Sequence, residues 1–250
     1  MFGRRGHCRA FFPRSLSGAR LGAMIEHVAE PGWVAVEEFL SAVVVHPDPA
    51  HQRALRSAVE AGMPPIEVAP NAGKLLRMLV QLSGARRILE IGTLAGFSTI
   101  WMAQGLPEDG RLVTCEYLPM HAHVARANVD AAGIGHKVEI RLGAALDSLP
   151  TLVDYVARHG AFDFVFIDAD KENDSNYLDW AIRLGRPGTV IVMDNVIWDG
   201  AILEPERDMI NAPGIVSALE MMGKDPRLDA TAIQTVGAKG WDGFALARVL

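Results

Sequence analysis

Cysteine is scarce in this chain: only Cys8 and Cys115 occur in 250 residues. They lie far apart and neither belongs to a Cys-x-x-Cys pair, which argues against a disulfide framework or a zinc knuckle. A reducing compartment is then the default, and a cytoplasmic location is expected. Long apolar runs are missing too. None approaches the roughly 18 residues of a membrane span, so no membrane partner is expected. Positive charge is in deficit, with 24 Lys and Arg against 30 Asp and Glu and a net charge of −6. A nucleic-acid partner usually demands a basic face, so none is expected. The eight histidines form no ligand pattern. His121 and His123 fall on one predicted helix but do not share a face. Gly-x-Gly-x-x-Gly is absent, as is a Tyr-x-x-x-Lys pair, which disfavours a nicotinamide-dependent oxidoreductase.

Half of the residues are hydrophobic and 22% are charged. A chain of this composition and length buries one sizeable core, and a single domain is expected over residues 24–250. Residues 1–23 differ from the rest. They carry Arg4, Arg5, Arg9, Arg14 and Arg20, with no acid before Glu26. Their composition resembles an organellar presequence. A disordered basic tail, or translation from upstream of a natural start at Met24, is the preferred reading. No apolar stretch precedes a small-residue cleavage site, so a secretory signal is not expected.

Residues 25–62 read as helical, with a break at His46-Pro47-Asp48-Pro49 and an end at Pro64-Pro65. From Asn71 to Leu82, the residues Leu75, Leu76, Met78, Leu79 and Leu82 recur at helical spacing. These N-terminal helices, residues 25–82, precede a core over 86–250. There strands are predicted at Arg87–Ile91, Arg111–Glu116, Val138–Leu142, Phe162–Ile167 and Thr189–Met193. Helices are predicted at Phe97–Gln104, Pro119–Ala132, Ala144–Arg158, Asn173–Leu184 and near Val216–Met222. Two final strands, Asp229–Val236 and Gly243–Val249, are joined through Gly-Ala-Lys-Gly-Trp-Asp-Gly as a hairpin. Strand–helix alternation closed by a hairpin argues an α/β fold with one doubly wound sheet.

Two apolar runs end abruptly in acids or amides: Phe162–Ile167 before Asp168-Ala-Asp170-Lys171, and Gly188–Met193 before Asp194-Asn195. Buried parallel strands read this way. Carboxylates at their carboxyl ends face the crevice where open α/β sheets bind ligands. Asp168, Asp194 and Asn195 are all oxygen donors, which favours magnesium, calcium or manganese over zinc. Helix capping is the plain alternative for each segment alone. Glu90-Ile-Gly92-Thr-Leu-Ala-Gly96-Phe-Ser98 links the first strand to its helix, where glycine permits a tight turn and close approach to a ligand. An acid before Gly92 suits a cofactor with a positive amino group better than a pyrophosphate. Glu116, 24 residues after Gly92, can accept ribose hydroxyls, and Gly143-Ala144-Ala145 offers bare backbone to an adenine edge. Lys171, beside a cation in a partly dry pocket, is expected to have a lowered pKa and to be a possible base. Trp198 and Trp241 fit either the core or a substrate wall.

Together these segments resemble the cation-dependent S-adenosylmethionine O-methyltransferases, the caffeoyl-CoA and catechol O-methyltransferase-like enzymes with bacterial relatives. The likeness runs from about Val68 to the C-terminus. It implies a Rossmann-like seven-stranded methyltransferase sheet ending in a β-hairpin, with extra N-terminal helices. By resemblance, Glu90, Gly92 and Ser98 hold the methionine part of the cofactor, and Asp170 lies against its amino group. Glu116 takes the ribose and Ala145 meets the adenine through its backbone. Val68 stands where plant members carry Thr, which leaves it a backbone contact only. Asp168, Asp194 and Asn195 match the metal ligands, and Lys171 matches the proposed general base, so Asp168 and Lys171 are the catalytic candidates. Asp199 replaces a substrate-facing Asn of the plant members, which sets this chain apart from their CoA-ester specificity. The resemblance implies methyl transfer to a hydroxyl of a catechol-like small molecule, in a homodimer. The rivals are a metal-independent methyltransferase on another acceptor, a nicotinamide-dependent oxidoreductase, and a cofactor-binding protein without activity.

Overall fold

The computed structural model describes residues 31–250; the basic segment 1–23 and the predicted start of the first helix at residue 25 lie outside them. Helix α1, Pro31–Leu40, runs on as a π-helical turn over Ser41–Val45. It stops at His46, whose φ of 51° is left-handed. Asp48 then caps α2, Pro49–Glu60, by accepting the backbone N–H of Ala50 at 2.9 Å and of His51 at 3.1 Å. The predicted break at 46–49 is therefore a stop followed by a side-chain cap. Helix α3, Pro70–Leu82, buries Gly73, Leu76 and Val80. Met78 and Leu82, placed on the apolar row by spacing alone, are exposed.

The core alternates β1 (Arg87–Ile91), α4 (Phe97–Gly105), β2 (Arg111–Glu116), α5 (Pro119–Ala131) and β3 (Val138–Leu142). It continues with α6 (Ala145–Ser148), α7 (Leu152–His159), β4 (Phe164–Ile167), α8 (Asp174–Leu184) and β5 (Val190–Asp194). Helix α9 (Ala212–Lys224) leads to β6 (Leu228–Gly237) and β7 (Gly240–Val249). The single helix expected over Ala144–Arg158 is two, separated by a 3-10 turn at Leu149–Thr151. Pro150 lacks the N–H that a continuous helix needs there. The expected seven-residue hairpin connection shrinks to Ala238-Lys239, because Gly237 and Gly240 still pair and Trp241 and Asp242 belong to β7. Strand β4 begins two residues later than predicted. Asp163 before it accepts the backbone N–H groups of Arg86 (3.0 Å) and Arg87 (2.9 Å) and caps the strand entry.

One seven-stranded sheet results, in the order β3-β2-β1-β4-β5-β7-β6. The first five positions are parallel and β7 is antiparallel to both of its neighbours. Helices cover both faces, which is why Ile88, Leu89, Phe164, Val165, Phe166 and Ile191 are all buried and the strands read as unbroken apolar runs. The chain leaves β1 towards β2 and returns to its other side as β4. That reversal opens a crevice at the carboxyl ends of β1 and β4. Register completes the geometry: Ile91 pairs with Ile167, and Ile167 with Met193. The next residues, Gly92, Asp168 and Asp194, therefore emerge side by side.

Candidate active site

Glu90 lies within β1 and is fully buried. Its carboxyl accepts Ser98 Oγ at 2.7 Å and Thr99 Oγ1 at 2.6 Å, both from the first turn of α4. Burial pushes its pKa up to about 7, against the opposing pull of those hydroxyls. Gly92 has a φ of +97°, and a Cβ there would sit 1.9 Å from the carbonyl oxygen of Asp168. Only glycine lets the turn after β1 close against the end of β4.

Glu116 ends β2, and its carboxylate accepts three backbone N–H groups: Thr93 (3.2 Å), Leu94 (2.9 Å) and Leu118 (2.9 Å). The acid that the sequence assigns to a ribose also pins the glycine turn. Thr93 adds a 2.5 Å contact to Thr114 Oγ1 and donates to the carbonyl of Cys115. Gly143, at φ +125°, donates its N–H to the Glu116 carbonyl at 2.9 Å. Ala145 opens α6 there, half-buried. Val68 is buried and packs in the core with Leu76, so its side chain is committed. It also lines a cavity of about 510 Å³ with Val34, Leu55 and Lys239.

The ends of β4 and β5 carry the acids. Lys171, 4% exposed, lies between them and donates to Asp168 Oδ1 at 3.1 Å and to the Asp194 carbonyl at 3.1 Å. Desolvation alone would lower its pKa, but the carboxylates of Asp168, Asp174 and Asp194 outweigh it and raise the value instead. Facing these carboxylates alone, the lysine is an ion-pair partner; the lowered pKa expected from sequence belongs to a lysine beside a cation. Asp194 is pushed up to about 7, first by burial and then by Asp168. Asp174 is fully buried with no hydrogen-bond partner on either oxygen, and burial takes its pKa to about 7. In the sequence it is marked only as an acid in the first turn of α8. Asp170 is exposed and accepts Tyr177 Oη at 2.5 Å, with Asn173 as a second donor.

Asn195 adopts a left-handed φ of 59°, as do Trp198 and Asp199 at 52° each. A non-glycine residue there stores strain, and such residues cluster at ligand sites. The Trp198 indole N–H donates to Asp208 at 2.7 Å, and Trp241 donates to Gln234 at 2.9 Å. Among the described residues no three His, Cys, Asp or Glu side chains gather as a metal set. The candidate set is two carboxylates and an amide oxygen. Its all-oxygen chemistry fits a hard cation, and the register sets Asp168 and Asp194 at adjacent strand ends. Among the described residues no helix is long and apolar enough to cross a membrane.

A doubly wound sheet with an antiparallel hairpin at one edge, and a crevice at the carboxyl ends of β1 and β4, defines a Rossmann-like α/β protein. The particular family follows from comparison: the O-methyltransferase family model matches residues 45–250, and the chain belongs to that family. A protein named catechol O-methyltransferase from Mycobacterium tuberculosis is 54% identical over 220 residues, covering 88% of this chain and 97% of that protein. Another of that name, from Niastella koreensis, is 50% identical over 86% of this chain and 96% of its own length. The O-methyltransferase from Bacillus cereus, solved in complex with SAH, superposes with a TM-score of 0.84 at 45% identity, covering 88% of this chain and 99% of that one.

Proposed function

We propose that this O-methyltransferase moves the methyl group of S-adenosylmethionine to one hydroxyl of a catechol-like small molecule, assisted by a divalent cation, magnesium first and manganese or calcium next. The observation that carries the reading is the strand register, which sets Asp168 and Asp194-Asn195 beside the crevice built by Glu90, Gly92 and Glu116. The names of the relatives and the SAH in the Bacillus cereus structure support it.

Glu90, Gly92 and Ser98 hold the methionine end, Asp170 its amino group, Glu116 the ribose, and the backbone of Ala145 and Val68 the remainder. Asp168, Asp194 and the Asn195 amide oxygen hold the cation, which when bound supplies a Lewis acid and a template for two adjacent oxygens. The acceptor hydroxyl, with a pKa near 10 in a free phenol, gives its proton to Lys171 directly or by relay. Lys171 can take it only when Asp168 and Asp194 are engaged elsewhere, since their attraction keeps the ammonium charged. The deprotonated oxygen then attacks the methyl carbon in line. The carbon–sulfur bond breaks towards sulfur, and both reactants lose their charge. A dry, oriented crevice serves that step through positioning.

Turnover of caffeic acid against the matched mono-hydroxylated coumaric acid, at saturating cofactor and magnesium, tests the reading. The vicinal diol is expected to react, and the single phenol at least about 10²-fold more slowly, because one oxygen fixes the ring poorly. Comparable rates would overturn chelation and favour the metal-independent rival. A homodimer is part of the proposal. Val36, Phe39, Val43 and Val44 around α1 are exposed apolar residues, more than half accessible each, and support it. Light scattering after size exclusion checks this. A cytoplasmic location is supported by Cys115, which is buried and free.

A further inference from the structure

We propose that Asp242 fixes which end of the Asn195 amide faces the cation, and is the positioning residue of that ligand. The proposal rests on the cation-assisted reading above and adds a residue that touches neither cation nor substrate.

Asp242 lies on β7 and is 7% exposed. Its Oδ1 accepts the backbone N–H groups of Gly243 (2.9 Å), Trp198 (3.1 Å) and Ile197 (3.2 Å). Its Oδ2 accepts Asn195 Nδ2 at 3.0 Å. All four partners are donors, so the carboxyl group acts here only as an acceptor. A primary amide has one donor end and one acceptor end. With the NH₂ of Asn195 held by Asp242, its oxygen points away from Asp242, and only an oxygen serves a hard cation as ligand.

The grip is built into the backbone. Val196 donates its N–H to the carbonyl of Gly243 at 3.1 Å, so the chain after β5 crosses β7 at this point. A Cβ on Gly243 would stand 2.2 Å from the Ile233 carbonyl oxygen and 2.7 Å from Ile197 Cγ1. That glycine leaves room for the segment carrying Asn195 to lie against β7. Outer contacts of this kind orient a ligand and govern affinity without binding the ion.

The test is an exchange of the two side chains. In Asp242→Asn the remaining oxygen still serves the three backbone donors, but an NH₂ now faces the NH₂ of Asn195. The Asn195 amide turns over and presents nitrogen to the cation. Manganese affinity, read from the electron paramagnetic resonance of the free ion, is expected to fall by about 10–100-fold. SAH affinity measured in EDTA stays unchanged, which also shows that the variant is folded. Adding Asn195→Asp to Asp242→Asn restores an acceptor opposite the new NH₂ and an oxygen for the ion, so manganese affinity recovers most of the loss. Asn195→Asp alone controls for the added charge: a purely structural role for Asp242 predicts the same gain in manganese affinity from Asn195→Asp in the wild type as in Asp242→Asn, whereas the proposal predicts a larger gain in Asp242→Asn. Wild-type affinity in Asp242→Asn, or no recovery in the double variant, overturns the proposal. If Asp242→Asn does not fold, the wild-type protein decides through its Asn195 side-chain NH₂ resonances, assigned by their loss in Asn195→Ala. Slow solvent exchange of that NH₂, with and without magnesium, is expected, and exchange at the rate of a free amide overturns the proposal. A wild-type protein that binds no manganese refutes the cation-assisted reading itself, and with it this inference. Binding by the wild type without any effect of the exchange refutes the inference alone.

Discussion

Glu90 offers the sharpest test, because one substitution should move stability and function in opposite directions. The side chain is fully buried, and the hydroxyls of Ser98 and Thr99 donate to its carboxyl. Desolvation takes its pKa from an ordinary 4.5 up to about 7. The sign follows from proton counting. Below pH 4.5 the carboxyl is protonated in both folded and unfolded chains, and its contribution is fully present. Between 4.5 and about 7 the folded chain keeps a proton that the unfolded chain releases, so stability falls as pH rises. At about 1.4 kcal/mol per pH unit, the whole window is worth about 3 kcal/mol. Glu90→Gln has no proton to lose, and its NH₂ can donate to a hydroxyl that rotates to accept it. The variant should therefore gain on the wild type by up to about 3 kcal/mol between pH 5 and pH 8.

Urea denaturation of both proteins without cofactor, at intervals across that range, measures the effect. Asp174 and Asp194 titrate in both proteins, so the difference between the two curves isolates Glu90. The cofactor reads the opposite way. A neutral amide attracts the methionine ammonium less than a carboxylate does, and losing a charged hydrogen bond costs about 1.5–3 kcal/mol of affinity. Binding should also release a fraction of a proton near pH 7 in the wild type, visible by calorimetry in buffers of different ionisation enthalpy, and less in the variant. Parallel stability curves for the two proteins would refute the argument that burial sets the pKa of Glu90.

EDTA should abolish methyl transfer, and magnesium or manganese should restore it; full activity after verified metal removal would contradict the cation site. Asp168→Ala should lose turnover far more than SAH affinity, as measured by calorimetry. Glu116→Gln should weaken S-adenosylmethionine by roughly 1–3 kcal/mol and also lower the melting temperature, because an NH₂ would face the N–H groups of Thr93 and Leu94. An unchanged cofactor dissociation constant in the folded variant would remove Glu116 from the site.

What the sequence makes legible depends on how many faces of an element are buried. Strands β1, β2 and β3 span the predicted residues; β1 and β2 are buried on both faces, whereas the edge strand β3 alternates apolar and charged residues and is only partly covered. Surface helices carry a weaker signal. Spacing put Met78 and Leu82 on the buried row of α3, yet the structure leaves them exposed and buries Gly73. There the Trp101 ring approaches so closely that a Cβ would lie 2.3 Å from it. No periodicity encodes that contact. The acids of the crevice were legible as strand ends, but their mutual effects were not. Lys171 reads as a lysine made acidic by a neighbouring cation and a partly dry pocket. Whether burial or attraction prevails depends on how many carboxylates converge on it, and Asp174 and Asp194 are remote from one another in the chain. Asp242 was hidden for a related reason. Asp-Gly reads as turn chemistry, and only the pairing of Asp242 with Thr235 shows that it lies in a strand.

Several of the places where the chain departs from good local structure lie together. A fully buried Glu90, an Asp174 without donors, a glycine turn that admits no side chain at Gly92, and left-handed backbone at Asn195, Trp198 and Asp199 fall in or beside the segments that follow β1, β4 and β5. Each costs stability that an apolar or relaxed residue would return. In β1, β2 and β4 below them every apolar side chain is buried. A fold that tolerates strain and unmatched charge at one end of its sheet, while keeping the rest consistent, concentrates its electrostatic potential there. Acids dominate that end, and among the described residues Lys171 is the buried cation they draw in. A sulfonium cofactor with a positive amino group and a divalent cation are the two partners whose charge answers those acids. Under the proposed function, the same acids would account for cofactor choice and metal choice through one physical cause.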